Sequence, residues 1–355
     1  MCLSLIKKAE LFQAAGDRVV CTACARNCRL KNGQIGFCGV RKLINGQLYL
    51  LNYGTVEAIH MDPIEKKPFM HFNPGSKVLS MGTTGCSWMC LYCQNYDLSQ
   101  RRNISGVEVQ PEELVNIALR YGAEGLAFTY NEPLIYLEYV RDAGLEARKR
   151  GLFSVFVSNG YATEDGIGMM KTFLDAITVD IKGNANKEFL RKYAAVPDPG
   201  PIFETISELH KSGVHVEITD LVVPQVGNHL EDAKKLSKWI VDNLGPDVPL
   251  HFLRFHPDYK MDWLPPTPMA DLERHYKAAK EQGLNFVYIG NVPGSKYEST
   301  YCPKCGTELI KRDGFEILEW NLDKNSRCPR CGYRMPIVGK FYGGSMEERF
   351  HPVTI

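Results

Sequence analysis

The stretch Gly85-Cys86-Ser87-Trp88-Met89-Cys90-Leu91-Tyr92-Cys93-Gln94-Asn95 places three cysteines within eight residues, at spacing C-x3-C-x2-C. Three thiolates on one loop can hold three corners of a cubane iron–sulfur cluster, whereas an ordinary electron-transfer cluster takes four. One iron then stays open to another ligand. A structural zinc knuckle or a set of buried thiols also fits the spacing alone. Just upstream, the apolar run Lys77–Thr84 reads as a buried strand, and Gly85 turns the chain. The cysteines are therefore expected at the C-terminal end of a strand, where α/β barrels carry their chemistry.

Working outward, strand-like and helix-like stretches alternate from Lys77 to about Gly294. The apolar runs are Lys77–Thr84, Gly125–Tyr130, Phe153–Ser158, Ala176–Ile181, Val214–Val223, Leu250–Phe255 and Asn285–Asn291. Amphipathic segments Pro111–Tyr121, Leu134–Arg150, Glu164–Leu174, Leu230–Leu244 and Met269–Gln282 lie between most of them. Alternation of this kind predicts a parallel sheet with crossover helices. A partial or complete βα barrel fits it, with a doubly wound sheet as the alternative.

The expected strand ends are polar against an apolar background. They read Thr129-Tyr-Asn131-Glu132-Pro133, Ser158-Asn159-Gly160, Asp180-Ile-Lys182, Asp220, Arg254-Phe-His256 and Gly290-Asn291. One such end means little, since strands end in turns and turns are polar. Six in register offer carboxylates, a lysine and a histidine around one mouth, a set suited to a ligand with an ammonium, a carboxylate, a ribose and a purine.

Twelve cysteines fall into groups rather than being scattered. Cys21, Cys24, Cys28 and Cys38 form an N-terminal set with turn-forming glycines, suited to structural zinc or to an auxiliary iron–sulfur cluster. The two C-P-x-C-G knuckles at Cys302, Cys305, Cys328 and Cys331 form a zinc-ribbon signature with 22 residues between them. Only Cys2 stands alone. Three units follow: residues 1–75 cysteine-rich, opening with a helix over Leu3–Ala15; residues 76–294 the α/β body; residues 295–355 a zinc-ribbon-like end. The charged, proline-containing segment His60–His71 reads either as a solvated connector or as a loop reaching over the cluster.

A formal net charge of +1, with 44% hydrophobic and 23% charged residues, is that of a globular protein. It argues against nucleic acid as a main partner, since binders carry a basic excess; Lys66-Lys67 and Arg101-Arg102 read as solvated faces. No run approaches a membrane span. The N-terminus lacks the apolar core and cleavage site of a signal peptide, so the cytoplasm is the expected compartment. No GxxxxGK motif is present, which excludes that route to ATP chemistry.

With these motifs assembled, the chain resembles the radical SAM enzymes, including the aromatic Tyr92 just before the last loop cysteine. It is similar to their pyruvate formate-lyase activating enzyme-like branch. More narrowly, it resembles the radical SAM member of the AmmeMemoRadiSam system, through Cys21-x2-Cys24-x3-Cys28 with Gly36-Phe-Cys38-Gly-Val-Arg41, Asp62-Pro-Ile-Glu-Lys-Lys-Pro68, the central cysteine loop, Thr129–Pro133, Ser158–Gly160, Asp180-Ile-Lys182 and the terminal knuckles. The resemblance implies a partial (β/α)6 TIM-like barrel, a [4Fe-4S] cluster on Cys86, Cys90 and Cys93, and S-adenosylmethionine (SAM) bound to the open iron. It further implies that Asn131 and Glu132 lie at the SAM amino group, where relatives carry Gly-Gly-Glu-Pro and this chain has Tyr130 and Asn131 in place of the glycines. Ser158, Asn159, Asp180 and Lys182 are implied near the SAM ribose and carboxylate, His256 near the adenosyl group, and the Val223 and Ile289 backbones at adenine. Implied partners are a flavodoxin- or ferredoxin-type reductant and Memo-like and AMMECR-domain proteins. The reaction implied is hydrogen abstraction from a small molecule or partner residue. Glycyl-radical formation on a partner enzyme is an alternative, and a scaffold holding only zinc is an alternative of another class.

Overall fold

The computed structural model describes residues 6–100 and 103–355. Cys2 and Arg101-Arg102 lie outside the described residues. A nine-stranded sheet forms the centre. Its strands are β1 (Ala58–Pro63), β2 (Lys77–Gly82), β3 (Gly125–Phe128), β4 (Phe153–Ser158), β5 (Ala176–Lys182), β6 (His215–Val222), β7 (Leu250–Arg254), β8 (Val287–Gly290) and, from the far C-terminus, His351–Pro352. From β2 to β8 every neighbouring pair is parallel. That is seven parallel strands, one more than a six-unit barrel contains. β1 lies antiparallel to β2, and His351–Pro352 antiparallel to β1.

Spatial order follows sequence order across all seven parallel strands. Right-handed crossovers that always step the same way put their helices on one face. A doubly wound sheet reverses once, and this one does not. The crossovers carry α1 (Pro111–Arg120), α2 (Leu137–Lys149), α3 (Glu164–Met170), α4 (Lys187–Tyr193), α5 (Gly200–Lys211), α6 (Leu230–Leu244) and α7 (Met269–Glu281). Local chemistry sets their starts. Pro111 with Glu112 and Glu113 opens α1, the Thr163 hydroxyl caps α3 through Gly166 N–H, and the Asn186 side chain caps α4 through Phe189 N–H. The helices α4 and α5 were not expected. Pro199-Gly200-Pro201 reads as a breaker, yet a proline in the first turn of α5 loses no intrahelical bond.

The expected N-terminal helix is replaced by strands within the described residues. Phe12–Ala15 pairs antiparallel with Arg18–Cys21 around Gly16, whose φ of 64° suits a tight turn, and Lys7–Lys8 pairs with Tyr49–Leu50. Long-range pairing and burial of Ala9 and Leu11 outweigh local helix propensity there.

The segment from Asp62 to His71 runs along the inner face of the sheet, toward the N-terminal ends of its strands. The Thr178 hydroxyl donates to Lys67 O at 2.9 Å, and the Glu217 carboxylate accepts from the N–H groups of Met70 (3.1 Å) and His71 (2.8 Å). Asp62 pairs with buried Lys67 at 2.6 Å and with Lys66 at 2.8 Å. His71 Nε2 meets the Tyr288 hydroxyl at 2.7 Å. Rather than a solvated connector, this is a buried filling in which most polar groups are paired and Ile64 and Phe69 pack on the sheet.

The C-terminal unit docks at the same end. Tyr288 reaches the Thr300 hydroxyl at 2.8 Å, and Arg312 donates to Met70 O at 3.0 Å. A buried Arg349–Glu65 ion pair at 3.0 Å fastens the last helical turn. Among the described residues no helix is long and apolar enough to cross a membrane.

Candidate active site

A cavity of about 290 Å³ opens at the C-terminal ends of the parallel strands, lined by residues at or just beyond the end of every one of β2 to β8. One rung of the sheet explains much of its wall. Lys182, Leu221, Leu253 and Gly290 are Cα partners in succession across β5 to β8. Their side chains share a face because strand side chains alternate. Lys66 and Pro68, from the filling segment, line the cavity too.

The cysteine loop leaves β2 through Gly85, at φ 98°. A Cβ there would stand 2.4 Å from Cys38 O, so only glycine permits this approach of two backbones. Asn131 staples the loop, donating to Gly85 O at 2.8 Å and accepting from Thr83 N–H at 3.2 Å. Met89 N–H bonds Ala194 O at 3.0 Å and Leu91 N–H bonds Tyr193 O at 2.8 Å, so α4 braces the other side. Arg26 donates to Ser87 O at 2.7 Å, and Asn95 to Tyr130 O at 2.8 Å.

Cys86, Cys90 and Cys93 all face the cavity. Burial raises all three thiols; Cys90 is pushed up to about 12, with the neighbouring Cys93 adding to the effect and Lys182 opposing it. Cys86 accepts Trp88 N–H at 3.4 Å, and Cys93 lies 3.1 Å from the Ser99 hydroxyl. Three half-buried cysteines facing one cavity become thiolates only beside a cation, so the donor set fits a cluster held at three corners. Tyr92 is buried, stacks on Phe189 with centroids 5.7 Å apart, and is among the lining residues.

Opposite the cysteines, Glu132 is buried. Its carboxylate accepts from the Ser158 hydroxyl (2.7 Å), Asn159 N–H (2.8 Å) and Leu134 N–H (3.1 Å). Burial raises its pKa to about 7 against the pull of these donors. Asn159 also donates to the Ser87 hydroxyl at 3.1 Å, tying β4 to the cysteine loop. Lys182 pairs with Asp180 at 2.9 Å, and Asp180 accepts the Thr219 hydroxyl. Burial disfavours the Lys182 charge, but Asp180 outweighs it and the pKa is raised. His256 sits at the exposed rim, 3.1 Å from Asp258.

The cavity thus gathers Cys86, Cys90, Cys93, Tyr92, Asn131, Glu132, Ser158, Asn159, Asp180, Lys182 and His256. It does not gather Val223 and Ile289. Both are fully buried, Val223 in a bridge with Gly227 and Ile289 inside β8. Leu221, Leu253, Phe255 and Asn291 hold the corresponding wall. The signal that could have found the leucines is alternation: each stands at a strand's C-terminal end on the face shared with Lys182.

The terminal cysteine groups differ in spacing. Cys302, Cys305, Cys328 and Cys331 have sulfurs all within 4.8 Å of one another, with Cys302–Cys331 at 3.5 Å and Cys305–Cys328 at 3.6 Å. Two equivalent turns build the group, Gly306 N–H to Cys302 O and Gly332 N–H to Cys328 O, each 2.9 Å. Among the described residues no other set of three or more cysteine, histidine or acidic groups converges so tightly. Cys21, Cys24, Cys28 and Cys38 line one small pocket with Arg26, Phe37 and Arg41, without converging within that limit.

The sequence profile of the Radical SAM superfamily matches residues 81–240. An uncharacterised protein of Methanocaldococcus jannaschii is 42% identical, over 94% of this chain and 100% of its own length. A second uncharacterised protein of that organism is 23% identical over 76% of each chain. Among solved structures, a domain of pyruvate-formate lyase-activating enzyme from Bacteroides vulgatus aligns with a TM-score of 0.42 at 15% identity, over 48% of this chain and 100% of that one. Streptococcus suis SuiB bound to S-adenosylmethionine aligns at 0.48 and 11%, over 64% of this chain and 53% of that one. The matched profile starts inside β2 and runs through the three-cysteine loop and the polar ends of β3 to β6: residues 81–240 carry a radical SAM superfamily domain.

Proposed function

We propose that this protein is an enzyme that binds a [4Fe-4S] cluster through Cys86, Cys90 and Cys93 and SAM in the cavity above β2 to β8, and that the sheet acts as a partial barrel open at one seam. The observation that carries the reading is the presence of three half-buried cysteines with Glu132, Asp180 and Lys182 around one cavity. A cluster held by Cys86, Cys90 and Cys93 would supply one-electron reduction of SAM, and with it the means of hydrogen-atom abstraction from a substrate.

The chain's own residues bind and orient. Glu132, with acceptor capacity left beyond its three donors, takes the SAM ammonium, whose positive charge favours the ionised carboxylate against the effect of burial. Lys182 faces the SAM carboxylate, and Asp180 holds Lys182 in place while reaching the ribose. Ser158 and Asn159 fix the Glu132 carboxylate and line the ribose side. Leu221, Leu253 and Phe255 exclude water around the adenosyl group, with His256 at the rim. The Asp62–Pro68 segment forms the floor.

The motif set supports membership of the AmmeMemoRadiSam group, with a flavodoxin- or ferredoxin-type donor, Memo-like and AMMECR-domain partners and a cytoplasmic setting. The sulfur separations of 3.5 and 3.6 Å at the C-terminal group support structural zinc, since Zn–S bonds of about 2.3 Å set tetrahedral edges of about 3.8 Å.

The test is anaerobic reconstitution with iron and sulfide, then reduction in the presence of SAM. The expected result is 5′-deoxyadenosine from the native chain and none from Cys90→Ala. Formation of 5′-deoxyadenosine by Cys90→Ala overturns the proposal.

A further inference from the structure

The three cysteine groups fall into two classes of geometry. The C-terminal four sulfurs close to within 4.8 Å of one another, the size of a single-metal site. The central three, on the loop that the superfamily uses for its cluster, do not. Neither do the N-terminal four: among the described residues no three of them come within that limit, although all four line one pocket. A lone zinc ion pulls four thiolates to tetrahedral edges of about 3.8 Å. A cubane, with its metals spread over four corners, holds its cysteine sulfurs about 6 Å apart. The same fold therefore contains one site of zinc size and two that are wider.

Other features of the N-terminal pocket fit a buried, anionic metal–thiolate group. All four cysteines are free of disulfides. Phe37 N–H donates to Cys28 Sγ at 3.4 Å, and backbone N–H groups of Ala23, Arg26 and Val40 address Cys21, Cys24 and Cys38. Gly36 stands between two of the ligands, its missing Cβ lying 3.8 Å from both Cys28 Sγ and Cys38 Sγ. Arg41, buried and paired with Glu138, lies beside Cys21 and Cys38 and supplies positive charge. Sulfurs accepting backbone N–H bonds in a low-dielectric pocket beside a fixed cation match the tuning of cluster sites.

The pocket is set against the back of the central loop. Cys38 O touches Gly85, Arg26 donates to Ser87 O, and Cys24 bridges Ala162 just beyond the end of β4. We propose that Cys21, Cys24, Cys28 and Cys38 hold a second [4Fe-4S] cluster, fully ligated by cysteine and separated from the three-cysteine site by one layer of backbone. Four ligands leave it no open iron, so its chemistry is electron storage and transfer. It accepts one electron from a one-electron donor protein and returns to its oxidised state as that electron passes inward.

The proposal rests on different residues from the proposed function, and its test separates the two. The full-length chain is reconstituted anaerobically with ferrous iron and sulfide, and iron and zinc are counted. About eight irons and one zinc per chain are expected; about four irons and two zincs overturn the proposal. The triple variant Cys86→Ala, Cys90→Ala, Cys93→Ala is then measured by Mössbauer spectroscopy. About four irons with a cubane spectrum that SAM does not perturb are expected, a twofold loss from the native count. A variant holding zinc, mononuclear iron or no metal at the N-terminal cysteines overturns it. If the superfamily reading of Cys86, Cys90 and Cys93 were wrong, the native chain and the triple variant would hold equal iron, a different result from either.

Discussion

The Ser158 hydroxyl donates to the Glu132 carboxylate at 2.7 Å, joining the end of β4 to the turn after β3. Glu132 is thereby fixed before any ligand arrives. Replacing it by Gln keeps the shape, removes the charge and sets an amide donor against the Leu134 or Asn159 N–H. Charge-assisted hydrogen bonds contribute about 1.5–3 kcal/mol, so Glu132→Gln is expected to weaken SAM binding roughly 10- to 100-fold. Ser158→Ala, which removes only a positioning contact, is expected to weaken it less than tenfold. Equilibrium dialysis against the reconstituted protein reads both, and equal affinities for Glu132→Gln and the native chain would remove Glu132 from the SAM site.

Arg41 and Glu138 form a buried ion pair between the N-terminal cysteine unit and α2, and Glu138 also accepts Glu10 N–H at 3.1 Å. Removing one partner strands the other. Arg41→Met is expected to cost about 3–5 kcal/mol in urea unfolding of the metal-loaded chain, while the Arg41→Met, Glu138→Leu double variant recovers most of that loss. A double variant no more stable than the single would show that the pair does more than balance charge.

The filling beneath the cavity predicts an acid-sensitive fold. Burial holds His71 down to about 3. Burial alone would raise Glu217, but hydrogen bonds from His215 and His251 outweigh it and hold the carboxyl below its usual range. Both groups bind protons more readily in the unfolded chain, so their contributions are present at high pH. The His71 part fades as pH falls from about 6.5 toward 3, and the Glu217 part below about 4.5. Between pH 7.5 and 5 the unfolding free energy should fall, by at most about 1.4 kcal/mol per pH unit from His71. His71→Asn should flatten this slope, a comparison read by urea titration at each pH; an unchanged slope would place the sensitivity elsewhere.

Gly290 opposes Leu253 so closely that a Cβ would stand 2.6 Å from Leu253 Cδ2. The backbone at Gly290 is not in the left-handed region, so the obstacle is only a flexible side-chain tip. Gly290→Val is expected to push Leu253 into the cavity and raise the KM for SAM about tenfold, roughly 1.4 kcal/mol, with iron content unchanged. Steady-state kinetics with parallel iron analysis check it, and an unaltered KM would mean Leu253 yields away from the cavity.

Strands were legible because apolar runs of strand length between turn signals leave few alternatives; all seven bounds agree with the structure to within two residues. The cysteine loop and the polar ends facing it were legible for the same reason, since a strand's last residue fixes where its turn points. What long-range contact decides was not legible. The N-terminal strand Lys7–Lys8 depends on partners as far as Leu50, α4 depends on bracing the cysteine loop, and α5 on packing against β6. The placement of Asp62–His71 had one overlooked signal. Thr178, Glu217 and His251 are polar residues inside apolar strands, and an inward polar side chain needs a buried partner. Val223 and Ile289 were assigned backbone contacts on the adenine side by likeness of motif, and the residues lining the cavity on those strands are Leu221 and Leu253.

The inner face of this sheet is filled in large part by one continuous piece of chain instead of by interlocking side chains from all seven strands. A cavity floored in that way can change depth and polarity through a few neighbouring codons. Substrate range can then drift in the Lys66–Pro68 stretch while the cysteine loop and the strand ends stay as they are, which makes this short segment the natural place to look when related chains act on different molecules.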